Sequence, residues 1–181
     1  MTELDGTRAL VTGATSGLGL AMARALVDAG ARVAITSRDA ERAAHAAAGL
    51  GSRAVGLALD ARDEGAVAAG VAEVSERLGG IDLLVNNAGI GMRTVNPRFL
   101  SDPRPFWEVP PDGFRDVFET KATGSFLMAR AVLRVMLQQG GGRATTGTTA
   151  WSGSGSLTPD ARCRSRSRPS AGGWRTRSPR T

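Results

Sequence analysis

The chain has 181 residues, of which 41% are hydrophobic and 22% are charged, and its formal net charge is +6 at pH 7. This length holds one α/β domain with or without a tail and is too short for two independent enzyme domains. The absence of an apolar run of about 18 residues predicts no membrane-spanning helix, and one cysteine (Cys163) with one histidine (His45) excludes an internal disulfide and a zinc site of soft ligands.

Short apolar runs alternate with segments of helical periodicity in the first half of the chain. The predicted strands are 8–12, 32–37, 54–59 and 81–86, and the predicted helices are 18–29, 40–48 and 64–78. Gly30 is a natural C-terminal cap for the first helix. This alternation predicts an α/β fold with a Rossmann-like doubly wound parallel sheet and ligands at the carboxyl ends of the strands.

A long loop and a long helix follow the fourth strand. The loop, 89–111, contains Phe99, Phe106 and Trp107 and is longer than ordinary connections, so it is a candidate functional loop, with plain packing as the alternative. Apolar periodicity then predicts one amphipathic helix over 111–139. No apolar strand is evident past Gly142, so we expect the sheet to be incomplete at its C-terminal side.

The turn after the first strand is rich in glycine and reads Thr-Gly-Ala-Thr-Ser-Gly-Leu-Gly over 12–19. Glycines let the backbone turn sharply and approach a ligand, and the helix that follows presents unpaired N–H groups to a pyrophosphate. On its own, the pattern also fits a plain tight turn. The residues predicted on the pyrophosphate side are Gly13, Ser16, Gly17, Leu18 and Gly19.

Residues suited to binding a nucleotide also follow two more strands. Asp60 follows the third strand, and Asn-Asn-Ala-Gly over 86–89 follows the fourth. With the glycine turn, and at these spacings, they resemble the short-chain dehydrogenase/reductase family over about residues 5–143. The resemblance implies a one-domain Rossmann fold that binds NAD or NADP and an oxidoreductase that moves hydride between the nicotinamide and a carbonyl or hydroxyl of a small molecule. It also implies that Asp60 meets the adenine and that Asn87, Ala88 and Gly89 meet the cofactor's ribose region.

The end of the second strand bears on the choice of cofactor. An acidic residue there favours NAD by binding the ribose hydroxyls, whereas an arginine accommodates the 2′-phosphate of NADP. The chain has Ser37 and Arg38 at this point, which favours NADP, although Asp39 is adjacent. The alternative is that Arg38 is a solvated loop residue and that NAD is bound.

The resemblance does not extend to the family's catalytic residues. The resemblance implies acid–base catalysis by a tyrosine with a lysine four residues later, assisted by a serine and an asparagine. This chain has no tyrosine, its one lysine, Lys121, stands in the place of the asparagine, and Thr148, Thr149 and Ser152 are only loose matches for the serine. We therefore predict no catalytic residues and no competent dehydrogenase as written. A non-catalytic dinucleotide-binding or interaction protein is the alternative function.

The basic charge is confined to residues 144–181, here called the tail. The tail has seven arginines against one acidic residue, so residues 1–143 are neutral. It is built largely of Ser, Arg, Pro, Gly and Thr and is expected to be disordered, which divides the chain into an NAD(P)-binding domain at 1–143 and a tail. A shifted reading frame in GC-rich DNA would produce such a tail, and genuine evolution of a new one is the competing cause. A neutral folded domain disfavours nucleic-acid binding.

The N-terminal residues Met1 to Asp5 are acidic and lack an apolar core, which is not typical of a signal peptide. We therefore expect a cytoplasmic protein without membrane partners. The resemblance implies homo-oligomers for intact relatives and leaves the oligomeric state of this chain open.

Overall fold

A computed structural model describes residues 3–91, 96, 98, 100–103 and 105–146. Within these residues, five parallel strands form one sheet in the order β3-β2-β1-β4-β5. The strand order reverses between β1 and β4, and this reversal creates a crevice at the carboxyl ends of the strands. The predicted Rossmann-like doubly wound sheet is confirmed.

The elements follow one another as strand and helix up to β4. The strands are β1 (Arg8–Val11), β2 (Arg32–Ser37), β3 (Ala54–Ala58), β4 (Leu83–Asn86) and β5 (Arg143–Thr146). The helices are α1 (Gly17–Asp28), α2 (Ala40–Ala48), α3 (Glu64–Leu78), α4 (Pro111–Phe118) and α5 (Gly124–Gln139), with a 3₁₀ turn at Phe106–Glu108. The bounds of β2, α2 and α3 agree with the predicted ones, and the others differ by a few residues at their ends.

Side chains on the two faces of the sheet enter two separate apolar clusters. Ala9 and Val11 face one side, where they pack with Ala23 of α1 and Ala47 of α2. Leu10, between them, faces the other side, where the helices α3 and α5 supply the cluster. Because side chains alternate along a strand, a run of consecutive apolar residues is what a sheet covered on both faces requires.

The structure refines one prediction about the C-terminal part and corrects another. The helix predicted over 111–139 is present with these bounds as one continuous helical segment, in which a π-helical turn at Glu119–Thr123 joins α4 to α5; the apolar periodicity does not record the extra residue of that turn. A fifth strand also exists where none was predicted: β5 pairs with β4 from Leu83↔Arg143 to Asn86↔Thr146. Its residues are mostly exposed, and backbone pairing at a sheet edge needs no apolar run.

An ion pair joins β1 to β4 at the end of the sheet opposite the crevice. The Arg8 side chain donates to the Asp82 carboxylate through Nε at 2.7 Å, and the backbone N of Arg8 donates to it at 2.9 Å. The Arg8 hydrogen bonds hold the pKa of Asp82 below its ordinary value. The folded state therefore binds fewer protons than the unfolded state, and the stabilisation is present above the unfolded pKa and lost as the pH falls through the lowered one.

Asp82→Asn is expected to lower the free energy of unfolding at pH 7 by about 1 kcal/mol, a figure that allows for partial exposure of the pair to solvent. The difference from the wild type should shrink below about pH 4, where free aspartate becomes protonated. Urea unfolding of both proteins at pH 7 and at low pH measures this difference in free energy of unfolding, with Asp28→Asn as the control. A difference that stays constant with pH would contradict this role of Asp82.

Candidate functional site

The candidate site is a cavity of about 760 Å³ at the carboxyl ends of β1, β2, β3 and β4. Its size suits a bound small molecule or part of a dinucleotide. The loops that follow these four strands line it, and Thr120 of the π-helical turn closes one side. Ten of the eleven predicted cofactor residues line this cavity: Gly13, Ser16, Leu18, Gly19, Ser37, Arg38, Asp60, Asn87, Ala88 and Gly89.

The glycine turn lies directly against the loop after β4. Gly13 has φ +62°, and a Cβ atom on it would stand 2.8 Å from Ala88 Cα. A Cβ atom on Gly19 would stand 2.4 Å from Asn87 Nδ2 and 2.7 Å from the Gly13 carbonyl oxygen. Gly17 has φ +56° at the first position of α1, so glycine is favoured there by conformation and not by space. The Ser16 side chain makes no capping bond and so leaves the first N–H groups of α1 uncapped, next to Ser16, Leu18 and Gly19 in the cavity wall.

Thr12 joins the two loops through hydrogen bonds, a role that was not predicted. Thr12 is buried, and its Oγ1 accepts from the backbone N–H groups of Asn87 at 3.0 Å and Ala88 at 2.9 Å. Asn87 Nδ2 donates to the carbonyl oxygens of Thr12 and Gly13, both at 3.0 Å. The amide nitrogen of Asn87 is thus committed to the glycine turn, and the side chain positions the loop as well as lining the cavity.

At the end of β2, the acidic and basic side chains have different environments. The Asp39 carboxylate accepts from the backbone N–H of Arg42 at 3.0 Å and caps α2. The side chains of Arg38 and Arg42 are exposed at the cavity and make no hydrogen bond or ion pair within the described residues. Two arginines and one carboxylate, Asp39, therefore line this part of the cavity, and the carboxylate also caps α2.

Asp60 forms a close ion pair with Arg62, another cavity residue that the sequence did not single out. The carboxylate accepts from Arg62 Nη2 at 2.8 Å and from its Nε and backbone N at 3.1 and 3.0 Å. These hydrogen bonds, more than the neighbouring charge of Arg38, lower the pKa of Asp60 from its ordinary value. Asp60 is therefore ionised and already bound by its own chain.

The part of the cavity that Gly89, Ile90 and Thr120 line lies beside the π-helical turn. The aliphatic part of Lys121 packs near Gly89, within 3.1 Å of where a Cβ atom on Gly89 would lie. Asn86 Nδ2 donates to the Ser125 carbonyl oxygen at 3.1 Å, and its Oδ1 is buried without a partner among the described residues. Lys121 thus stands on the side of its helix that faces the site. Thr148, Thr149 and Ser152 lie outside the described residues, as does most of the tail.

The described residues of the long loop line the cavity only at its first positions. Of its described residues, Gly89 and Ile90 line the cavity, and Trp107 is 82% exposed and packs in neither apolar cluster. Phe99 lies outside the described residues. In the part of the chain that the structure describes, no helix has the length and hydropathy to cross a membrane, and no group of His, Cys, Asp and Glu side chains is placed to hold a metal ion.

Sequence and structure comparisons agree on the family. The profile described as short chain dehydrogenase matches residues 7–149. The sorbitol dehydrogenase of Cereibacter sphaeroides is 39% identical over 140 residues, which are 77% of this chain and 51% of the relative. The chain belongs to the short-chain dehydrogenase/reductase family, a family of oxidoreductases that bind NAD or NADP.

Solved structures give the same result. A short-chain type dehydrogenase/reductase from Mycobacterium marinum is 35% identical, with a TM-score of 0.69 over 79% of this chain and 56% of that one. The 3-ketoacyl-(acyl-carrier-protein) reductase of Brucella melitensis, solved in complex with NADH, is 34% identical, with a TM-score of 0.68 over 76% of this chain and 53% of that one. The chain spans about half the length of the relatives that it matches.

Proposed function

We propose that this chain binds NADP(H) in the cavity at the strand ends and provides the nucleotide-binding part of a reductase that acts on a small carbonyl or hydroxyl compound. We propose further that these 181 residues bind the cofactor without turning over substrate. The observation that carries the choice of NADP is the excess of positive charge at the end of β2: Arg38 and Arg42 both line the cavity there, against one carboxylate, Asp39, whose Oδ1 accepts the capping bond of α2.

The residues present fit a dinucleotide. Gly13 and Gly19 let the glycine turn pack closely on the loop after β4, which a Cβ atom at either position would prevent, and both loops line the cavity. The open N-terminus of α1 has no acidic residue in its first turn, which suits a pyrophosphate. Arg38 would hold the ribose phosphate, and Asn87 to Gly89 would line the groove for the second ribose. The bound cofactor would supply hydride exchange with a carbonyl or hydroxyl group.

A second candidate function is that of a non-catalytic dinucleotide-binding protein. The observation that favours it is the absence of tyrosine from the whole sequence, because the family's proton donor then has no counterpart. Both candidates expect this chain to bind NADPH without turnover, so the coding DNA separates them: a Tyr-x-x-x-Lys element in another reading frame beyond codon 143 supports the reductase, and its absence from both other frames supports the non-catalytic protein.

Arg38→Gln is expected to raise the Kd for NADPH by about tenfold and to change the Kd for NADH by less than about twofold. A charge-assisted hydrogen bond to a phosphate contributes about 1.5–3 kcal/mol, and only NADPH has that phosphate. Nicotinamide fluorescence titration measures both. Arg134→Gln, which removes the same charge from α5 away from the cavity, is the matched control. Equal losses for the two cofactors would show that Arg38 does not select NADP.

A further inference from the structure

Helix α4 (Pro111–Phe118) has no buried residue, whereas each of the other four α-helices of the described chain has at least two. Phe114 and Phe118 stand on one side of it, 60% and 57% exposed, with their ring centroids 6.3 Å apart. Two aromatic rings left in water lack the hydrophobic free energy that a covering contact would supply. Within the described residues, α4 thus has an aromatic side that nothing covers.

The opposite side of α4 is acidic. Residues two positions apart lie on nearly opposite sides of a helix, so Asp112 and Asp116 lie away from the two rings. The groove of about 560 Å³ between this side of α4 and the start of α3 is lined by five acidic side chains: Asp60, Asp63, Glu64, Asp116 and Glu119. Arg62 and Arg130 offset two of these charges. The groove therefore keeps an excess of negative charge.

The tail has the complementary chemistry. It carries the chain's entire excess of positive charge, and its arginines 162, 164, 166 and 168 stand at every second position. Alternate side chains of an extended segment lie on the same side, so these four form a basic stripe when the segment is extended. The tail also has two tryptophans, Trp151 and Trp174, to set against the rings of α4.

The tail begins close to this surface. Thr146, the last described residue, pairs with Asn86, and the Asn86 side chain donates to the Ser125 carbonyl oxygen at the start of α5. Trp151 follows five residues later and can lie up to about 17 Å away. Arg162 follows after 16 residues, a length that spans about 20–24 Å on average in a flexible chain. That distance exceeds the radius of gyration of about 15 Å of a domain of this size, so both segments can reach α4.

We propose that the tail docks on α4 of its own domain, with Trp151 against Phe114 and Phe118 and the arginines 162–168 in the acidic groove. Because the tail is tethered, its effective concentration at the groove is about millimolar, and weak charge contacts are enough to hold it there without folding it. The proposal goes beyond the proposed function and requires no bound cofactor. It gives the basic tail a role within the molecule.

The test uses Cys163, the single cysteine of the chain, which lies between Arg162 and Arg164. A nitroxide spin label on its thiol broadens the NMR signals of backbone amides that come close to it. In the full chain at low salt, the signals of residues 63–65 and 112–119 should be strongly broadened, and those of α2 should not.

The double variant Asp116→Asn, Glu119→Gln should restore these signals, and so should about 0.5 M salt, because both weaken attraction between exposed charges. The matched control is Asp28→Asn with Glu76→Gln, which removes two exposed carboxylates from other helices and should leave the broadening unchanged. The remaining signals of each spectrum establish that the variant is folded.

The aromatic contact is tested with Trp107→Phe and Trp174→Phe, which leave Trp151 as the only tryptophan. Acrylamide should quench the Trp151 fluorescence weakly, and Phe118→Gln should make quenching as strong as that of free tryptophan. Phe126→Gln, at another ring that is 63% exposed, is the control and should change nothing.

Broadening that is absent, or spread evenly over the domain, would overturn the proposal, as would a Trp151 that acrylamide quenches fully in the parent chain. A mixture of spin-labelled chain with isotope-labelled chain that has no spin label distinguishes the occupants. Sharp signals from α4 in that mixture support docking within one chain. Broadened signals would show that the tail of a second copy lies there, and would overturn it.

Discussion

Gly19→Ala is expected to raise the Kd for NADPH by about a hundredfold. The added Cβ would stand 2.4 Å from Asn87 Nδ2, 2.7 Å from the Gly13 carbonyl oxygen and 2.9 Å from Ala14 Cα. Two of these atoms belong to the backbone of the glycine turn, so the turn itself must move. Overpacking of a rigid contact costs about 3 kcal/mol, which the turn relieves by moving. Binding the cofactor in the original geometry must restore that cost, and at about 1.4 kcal/mol for each factor of ten this is about a hundredfold in Kd.

The control for Gly19→Ala is Gly49→Ala, because a Cβ atom at Gly49 would be 3.5 and 3.7 Å from its nearest neighbours, at ordinary contact distance. Circular dichroism establishes that each variant is folded at the temperature of the titration. Near-normal binding by a folded Gly19→Ala variant would show that the turn does not contact the cofactor.

The elements that the sequence predicted well are those with a strong local signal. The strand Arg32–Ser37 and the helix Glu64–Leu78 have apolar periodicity and are bounded by residues that end or cap them, such as Asp63, which accepts from the Ala66 N–H at 2.9 Å. β5 has no such signal, because its partner is the backbone of β4 and its side chains are mostly exposed. Composition alone does not reveal an edge strand of this kind.

In the site, too, some residues could be predicted from local sequence signals and others depend on how the strands are arranged. Glycines and an arginine at strand ends could be assigned to the crevice, because the fold brings the carboxyl ends of parallel strands together. The role of Thr12 could not, since it depends on β4 lying beside β1 and on two N–H groups of the next loop. The ion pair of Arg62 with Asp60 at the cavity was also not predicted, because a spacing of two residues does not by itself bring two side chains into contact.

The purified chain is expected to consume NADPH at least about a thousandfold more slowly than a complete relative assayed beside it, because a positioned proton donor contributes about 10²–10⁴ in rate. The sorbitol dehydrogenase of Cereibacter sphaeroides serves as the complete relative, with a panel of sugar ketones and β-ketoacyl thioesters as substrates. Lys121, near Gly89, is the one ammonium group close to this end of the cavity in the described residues.

Lys121→Met is the variant that makes this result decisive. If the slow background is unchanged by Lys121→Met, Lys121 is not a substitute donor and the chain is a binder, as proposed. Turnover near that of the relative, abolished by Lys121→Met and kept by Arg134→Gln, would contradict the proposal and identify a lysine in place of the family's tyrosine.

Translation of the other two reading frames beyond codon 143 addresses why the catalytic tyrosine and lysine are absent. A Tyr-x-x-x-Lys element in either frame supports a frameshift, and its absence from both supports a tail that evolved with the protein.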